Sequence, residues 1–478
     1  MTHEAVSAGE QRARASAAQL VRRGRVAMQA LTHADQARTD EAVTALAWVV
    51  YREDNARALA ELAVADTGLG NVPDKIIKNQ RKTFGTLRDL LRVKTVGVIA
   101  RDPAKGLVKY AKPVGVVAAV TPSTNPAATP VNKAMMALKG RNAVVIAPSP
   151  AGYATTRRTV QLMRAELERI ALPADLVQVL PAPVNRAATQ AIMEGCDLVV
   201  VTGSQNNVRG AYKSGTPAIG VGAGNVPVII DESADLDDAA HKIAASKTFD
   251  NATSCSSENS VIIPQAIFAG AMAALQRAGG YRCSETQKDR VARALWPNGK
   301  LSRALLAKDA EVFAAGAGLP AAAGKARFFM VEDEGAGPDK PFSGEKLSLV
   351  LTVYKVADFD AALAQVRDVL KHQGMGHSCG IHTHDPSRAQ RLAEQLDVVR
   401  VLVNQAHTFG NGGSFDNGLD FTLSMGCGSW AGNSISENLN YRHFINITHL
   451  STTIPEDKPS EEELFGAYWN KYGRGGVR

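Results

Sequence analysis

Residues 114–148 read VGVVAAVTPSTNPAATPVNKAMMALKGRNAVVIAP. The stretch opens on an unbroken apolar run at 114–120, crosses a Pro/Thr/Asn loop at 121–130, turns helical at 133–139 and returns to an apolar run at 143–147. Apolar runs without polar alternation suit strands buried on both faces, and a helix between two of them gives a parallel pair. The pattern repeats, with helices expected at 155–170 and 186–193 and strands at 177–180 and 198–202. An α/β fold on a doubly wound parallel sheet follows. Ligands of such sheets bind outside the carboxyl ends of the strands. Those ends are TPSTNP (121–126), APSP (147–150) and TGS (202–204), and GVGAGNVP (220–227) then leads into a strand at 228–230. Each loop alone is weak evidence, since a glycine cluster also marks an ordinary tight turn.

Upstream, 7–66 reads as two or three helices, and 75–92 as a basic amphipathic segment whose lysines suit a solvated helix face. Short strands at 96–99 and 106–113 flank a turn at Asp102-Pro103, an arm able to pair with another subunit. Downstream, strands at 349–356, 380–382 and 399–403 alternate with helices at 361–371 and 386–396, a second α/β unit. Residues 440–450 read as an apolar strand completing the arm, and the tail from Pro455 as a docked extension. The expected division is a helical lead-in at 1–94, a dinucleotide-binding domain at 95–235, a catalytic domain at 236–428 and a C-terminal return and oligomerisation segment at 429–478.

At 478 residues and 45% hydrophobic the chain can bury a large core. Its five cysteines, at 196, 255, 283, 379 and 427, show no CxxC or Cys/His spacing, which argues against a disulfide framework or a metal site and for a reducing, cytoplasmic setting. The charged N-terminus has no apolar signal core, and no run of eighteen apolar residues exists, so no membrane association is expected. The net charge of +7 is spread among acidic residues, which excludes a nucleic-acid footprint while favouring anionic small ligands.

In TFDNATSCSSENSVI (248–262), Cys255 sits among hydroxyl residues between a helix at 239–247 and the apolar run 261–263. A cysteine in so polar a turn packs poorly as a core hydrophobe and suits a nucleophile, although a buried structural thiol is the commoner fate of a free cysteine.

Taken in order, TPSTNP, APSP, TGS, GVGAGNVP, SCSSEN, GEKLS (344–348), GHS with IHT (376–383) and MGCGSWAGNSISEN (425–438) resemble the CoA-acylating branch of the aldehyde dehydrogenase superfamily. The resemblance spans roughly residues 95–450 and rests on motif order more than on any one motif. It implies two parallel-sheet domains plus an oligomerisation arm, and a homodimer or homotetramer. It also implies that Cys255 adds to an aldehyde, that Asn125 and the Cys255 N–H form the oxyanion hole, and that Pro148, Ser149, Thr202, Gly203, Ser204, Gly222 and Gly224 hold NADP or NAD. Glu345 matches the glutamate that grips the nicotinamide ribose. Hydrolysing members carry a glutamate in an ELGG motif, whereas GVGAGN has no carboxylate, so coenzyme A is the implied acyl acceptor in place of water.

Other residues carry blander expectations: Cys427 close to backbone, Glu258 a hydrogen-bonding neighbour, His377 a satisfied structural histidine, and His382 and His384 solvent-exposed in a turn with no third ligand for a metal. The segments 49–76 and 438–465 are similar to the branch that acts on sulfoacetaldehyde, with succinate semialdehyde or a short aliphatic aldehyde left open. Arg442 and His443 are the candidates for an anionic substrate group, against a surface or interface role. A hydrolysing dehydrogenase and a non-catalytic dinucleotide-binding scaffold are the rival readings.

Overall fold

The computed structural model describes residues 8–475; the extreme N-terminal segment, read above as charged, and the last residues of the tail lie outside the described residues. Four helices open it: α1 (Ala8–Met28), α2 (Gln36–Tyr51), α3 (Glu53–Thr67) and α4 (Val72–Leu91). The antiparallel pair β1 (Gly97–Asp102) and β2 (Leu107–Pro113) follows. A first parallel sheet then forms from β3 (Val116–Thr121), β4 (Ala143–Pro148), β5 (Val177–Val179), β6 (Leu198–Val201) and β7 (Ala218–Gly220) in the order β5-β4-β3-β6-β7. Its connections run through α5 (Ala128–Lys139), α6 (Tyr153–Arg169), α7 (Arg186–Gly195) and α8 (Gln205–Lys213). Every residue of β3 and β4 is buried, as unbroken apolar runs require. The order reverses at β3, so β4 and β6 diverge on either side of it and leave a crevice at their carboxyl ends.

The second parallel sheet comprises β8 (Val226–Ile230), β9 (Glu258–Pro264), β10 (Gly280–Arg282), β11 (Phe328–Glu332), β12 (Val350–Val356), β13 (Gly376–His382) and β14 (Val398–Val403), ordered β10-β11-β12-β9-β8-β13-β14. Around it lie α9 (Leu236–Thr248), α10 (Phe268–Arg277), α11 (Glu285–Leu295), α12 (Ala310–Gly316), α13 (Phe359–His372), α14 (Pro386–Gln395) and the single turn α15 (His407–Gly410). β8 pairs with β9 and β13, so the chain changes sheet before β8 and not after it. β15 (Ile445–Ser451) returns to pair antiparallel with β2, completing a three-stranded sheet. The tail forms α16 (Glu461–Tyr472), whose Leu464, Phe465, Tyr468 and Tyr472 stand exposed.

One buried carboxylate ties α4 to the turn that leads into β9. Asp250 lies in the turn between α9 and β9, where Asp250, Asn251 and Ala252 all take left-handed φ values of 50°, 52° and 61°. Three such residues in succession are costly, by roughly 1–2 kcal/mol each for a residue like alanine, and must be held from outside. Lys75 and Lys78, one turn apart on α4, both reach Asp250 Oδ2, the former at 3.0 Å. Thr253 Oγ1 donates to the same oxygen at 2.7 Å and the Asn71 N–H donates to Oδ1 at 3.0 Å. A side chain at Gly70 would collide, since its Cβ would fall 1.8 Å from Asp250 Oδ1. The segment read as a solvated basic face is therefore a structural strut: Lys75 and Lys78 are 3% and 5% exposed. Burial pushes the Asp250 carboxyl up, but Lys78, Lys75 and the hydrogen bonds outweigh it and hold the group below the usual carboxylate range.

Asp250→Asn leaves two buried ammonium groups without a countercharge, for which a loss of about 3–5 kcal/mol is expected. The urea midpoint of unfolding reads this directly, and a variant whose midpoint matches the wild type would show that the turn is held by other contacts.

Candidate active site

A cavity of about 1110 Å³ opens where the first sheet's strand ends meet the turn before β9. Cys255, Asn125, Pro148, Ser149, Thr202, Gly203, Ser204, Gly222, Gly224 and Glu345, all named from the sequence, line it together. The carboxyl ends of β3, β4 and β6 supply one wall because neighbouring strands fix their exits: the Ser149 N–H donates to the Thr121 carbonyl at 3.0 Å and the Thr202 N–H to the Val120 carbonyl at 3.1 Å. Ser204 caps α8 through a bond accepted from the Asn207 N–H. Gly203 adopts φ +154° with open space where a Cβ would stand. Arg186 on α7 and Arg209 and Lys213 on α8 add positive charge to this wall, which sequence reading missed. Strand-end loops, a helix N-terminus and three cations suit a phosphate-bearing dinucleotide.

Cys255 stands half-buried opposite, on the segment that follows the strained turn. Its neighbours are pinned: Asn411 Nδ2 donates to Ser256 Oγ at 2.9 Å and the Ser257 N–H donates to the Ser254 carbonyl at 3.0 Å. The GVGAGN loop packs on the same backbone, and a Cβ on Gly224 would fall 2.0 Å from the Cys255 carbonyl oxygen. Asn125 Nδ2 makes only a long 3.4 Å bond to Thr124 Oγ1, while its Oδ1 is buried without a partner, so the amide is free to donate into the cavity. Burial, then the Glu345 and Cys427 neighbours, push the Cys255 thiol up to about 12 against the opposing pull of Arg400. Burial likewise raises Glu345 to about 7, with Lys247 and Lys346 opposing. Glu345 is thus the cavity's carboxylate, and the loop facing Cys255 contributes none.

The remaining candidates sort by partner. Glu258 is buried and accepts the His407 N–H at 3.2 Å, the hydrogen-bonding role expected of it. His377 shares a 2.7 Å bond with Ser378 Oγ, which in turn meets His407 Nε2 at 2.9 Å; burial drives His377 well below its ordinary pKa, and it does not line the cavity. Cys427 is fully buried against Gly222, whose Cβ would lie 3.1 Å from its Sγ. His382 is a correction: it closes β13 at 2% exposure instead of lying in a solvated turn. Arg442 and His443 both pair with Glu437 outside the cavity, the surface role set against a substrate-binding one above.

A residue the sequence reading assigned to solvent lines the cavity beside Cys255. Lys82, one turn beyond Lys78 on α4, donates to the Gly412 carbonyl at 2.9 Å, and among the described residues no carboxylate lies within 4 Å of it. Burial, then Arg81 and Lys78, push its ammonium down to about 7, and Cys255 is near enough to pull it back up. The spacing Lys75, Lys78, Lys82 on one helix face is the signal that could have revealed it.

Comparison with known proteins follows this geometry. The model of the aldehyde dehydrogenase family matches residues 2–280. The chain is 52% identical over 465 residues to the sulfoacetaldehyde dehydrogenase (acylating) of Cupriavidus necator, covering 97% of this chain and 94% of that one. It is 37% identical over 450 residues to the succinate-semialdehyde dehydrogenase (acetylating) of Clostridium kluyveri, covering 94% and 98%. The crystal structure of an acetylating aldehyde dehydrogenase from Geobacillus thermoglucosidasius superposes with a TM-score of 0.90 at 33% identity, covering 95% of this chain and all of that one.

A thiol held near 12 is protonated at neutral pH, so the reactive thiolate fraction should rise about tenfold per pH unit through the neutral and mildly alkaline range. Iodoacetamide alkylation of Cys255 in the ligand-free protein, followed by mass spectrometry from pH 6 to 10, should therefore climb without levelling. A plateau below pH 8 would mean that a neighbouring cation already ionises the thiol.

Proposed function

Because the chain belongs to the aldehyde dehydrogenase family, in its CoA-acylating branch, we propose that it oxidises sulfoacetaldehyde to sulfoacetyl-CoA with NAD(P)+. The observation that carries the reading is Cys255 facing the free amide of Asn125 across one cavity, with a carboxylate-free glycine loop packed against the cysteine backbone. The 52% identity to the Cupriavidus necator protein supports the substrate.

Cys255 gives up its thiol proton to solvent as its Sγ adds to the aldehyde carbon, and Asn125 Nδ2 with the Cys255 N–H donates to the oxygen as it turns anionic, which is worth about 10²–10³ in rate per donor. A nicotinamide dinucleotide, held along Pro148, Ser149, Thr202, Gly203 and Ser204 with Glu345 at its ribose, supplies the hydride acceptor. Loss of hydride leaves a thioester on Cys255. The CoA sulfur then attacks the acyl carbon, the bond to Cys255 breaks, and the thiol is regenerated with the proton taken from CoA. Water lacks a base placed to activate it. Arg186, Arg209 and Lys213 neutralise phosphates of the nucleotide ligands.

The enzyme works as a homodimer or homotetramer in the cytoplasm. The reading of the arm draws support from β15, an edge strand exposing Ile447 and Leu450, and from the apolar residues that α16 leaves uncovered. The cytoplasmic setting suits five unpaired cysteines.

Two measurements test this. Without CoA, enzyme, sulfoacetaldehyde and oxidised dinucleotide should give a burst of reduced dinucleotide no larger than the number of active sites, with turnover beginning when CoA is added. Steady release of free acid at a comparable rate without CoA would replace the acylating reading by the hydrolytic one. Asn125→Ala should lower kcat by roughly 10²–10³ with little change in dinucleotide affinity, because its donor is needed when the oxygen becomes negative; an unchanged kcat would remove Asn125 from the site.

A further inference from the structure

The cavity is lined by four cations, and three of them, Arg186, Arg209 and Lys213, belong to α7 and α8 on the strand-end wall. The fourth, Lys82, comes from α4 on the Cys255 side. Its helix neighbours Lys75 and Lys78 are both neutralised by Asp250, whereas Lys82 has a backbone carbonyl, Gly412 O, and no carboxylate among the described residues. Arg400, also close to Cys255, is consumed by Asn438 Oδ1 and the His377 and Gly426 carbonyls and does not line the cavity. A partly desolvated lysine without a countercharge gives up its proton readily and holds it best when a ligand brings negative charge.

A second group in the same wall lacks a partner. Thr408, 6% exposed and four residues before Gly412, lines the cavity with its Oγ1 buried and unbonded. Its own N–H is fixed by Ser246 Oγ at 2.8 Å, so the hydroxyl is held in place. A lysine and an unbonded hydroxyl lining one cavity are donors of the kind a small oxyanion takes.

We infer that Lys82, with the Thr408 hydroxyl, seats the anionic end of the aldehyde and selects acidic aldehydes over neutral ones. The inference rests on the aldehyde-oxidising reading of the preceding section. Its placement suits a short substrate: sulfoacetaldehyde carries its sulfonate one methylene from the carbonyl, so the seat must adjoin the thiol, and Lys82 lines the cavity that holds Cys255. A compact ammonium also suits three equivalent sulfonate oxygens, where a planar guanidinium would favour a bidentate carboxylate.

The test is the ratio of kcat/KM for sulfoacetaldehyde to that for propionaldehyde, a neutral aldehyde of similar size, at saturating CoA and dinucleotide. In Lys82→Met the ratio should fall roughly 10- to 100-fold, the range for losing one charge-assisted hydrogen bond, mainly through KM. Lys82→Arg should recover part of it, and Thr408→Val should lower it a few-fold. Should Lys82→Met fail to fold, as judged by its thermal melt, Lys82→Gln and Thr408→Val are read in the same way. A ratio within about threefold of wild type, or an equal loss of kcat on both aldehydes, overturns the inference by making Lys82 a general support of the site. If the wild type prefers succinate semialdehyde to sulfoacetaldehyde, the substrate reading falls while a 10- to 100-fold drop in the succinate semialdehyde ratio upholds the seat. If it prefers propionaldehyde to both acids, the seat is overturned.

Discussion

Asp250 is a single carboxylate shared by two lysines of α4, and it fixes the relation between the N-terminal helices and the turn that presents Cys255. Without that pull, three consecutive left-handed residues would relax, and the segment from Thr253 to Ser257 would lose its aim at the cavity. The same pairing determines what the next turn of α4 does. Once Lys75 and Lys78 are anchored, the helix has no freedom to rotate, and Lys82 is carried into the cavity wall instead of to solvent. A structural strut and a cavity-lining cation are thus consequences of one helix orientation.

Burial in the cavity makes its ionisable groups lean toward neutrality. Burial lifts the Cys255 thiol to about 12 and Glu345 to about 7 and brings Lys82 down to about 7, so each charge depends on what enters. This makes the resting site unreactive and makes bound ligands the source of its polarity. In the proposed reaction a developing negative charge on oxygen would meet the Asn125 amide in low dielectric, where a hydrogen bond counts for more than in water.

Much of this was legible in the sequence where periodicity or motif order carries the signal. The unbroken runs of β3, β4 and β6 announced a parallel sheet, and the loops after them line the cavity. The short β7 and the polar α8 left no comparable pattern. What escaped was pairing across long sequence separations. Nothing local to 75–92 distinguishes lysines bound to Asp250, more than 170 residues away, from lysines in water. Nor does the local sequence of Arg442 and His443 show that Glu437 folds back to take both. His382 was misjudged because a strand-ending histidine and a turn histidine look alike until β8 is seen beside it. The exposed apolar side chains of α16 have no counterpart on this chain to read.

The absent carboxylate in GVGAGN is more than one missing side chain. Two of the loop's three glycines lie against cysteines: a Cβ at 224 would meet the Cys255 carbonyl at 2.0 Å, and one at 222 would meet Cys427 Sγ at 3.1 Å. No rotamer relieves the first clash, because the obstructing atom is backbone on a segment already held by the Asp250 turn. A glutamate introduced at Gly224 would therefore displace the segment that carries Cys255. With no carboxylate on the loop packed against Cys255, attack by a readily ionised thiol is the favoured route out of the proposed thioester.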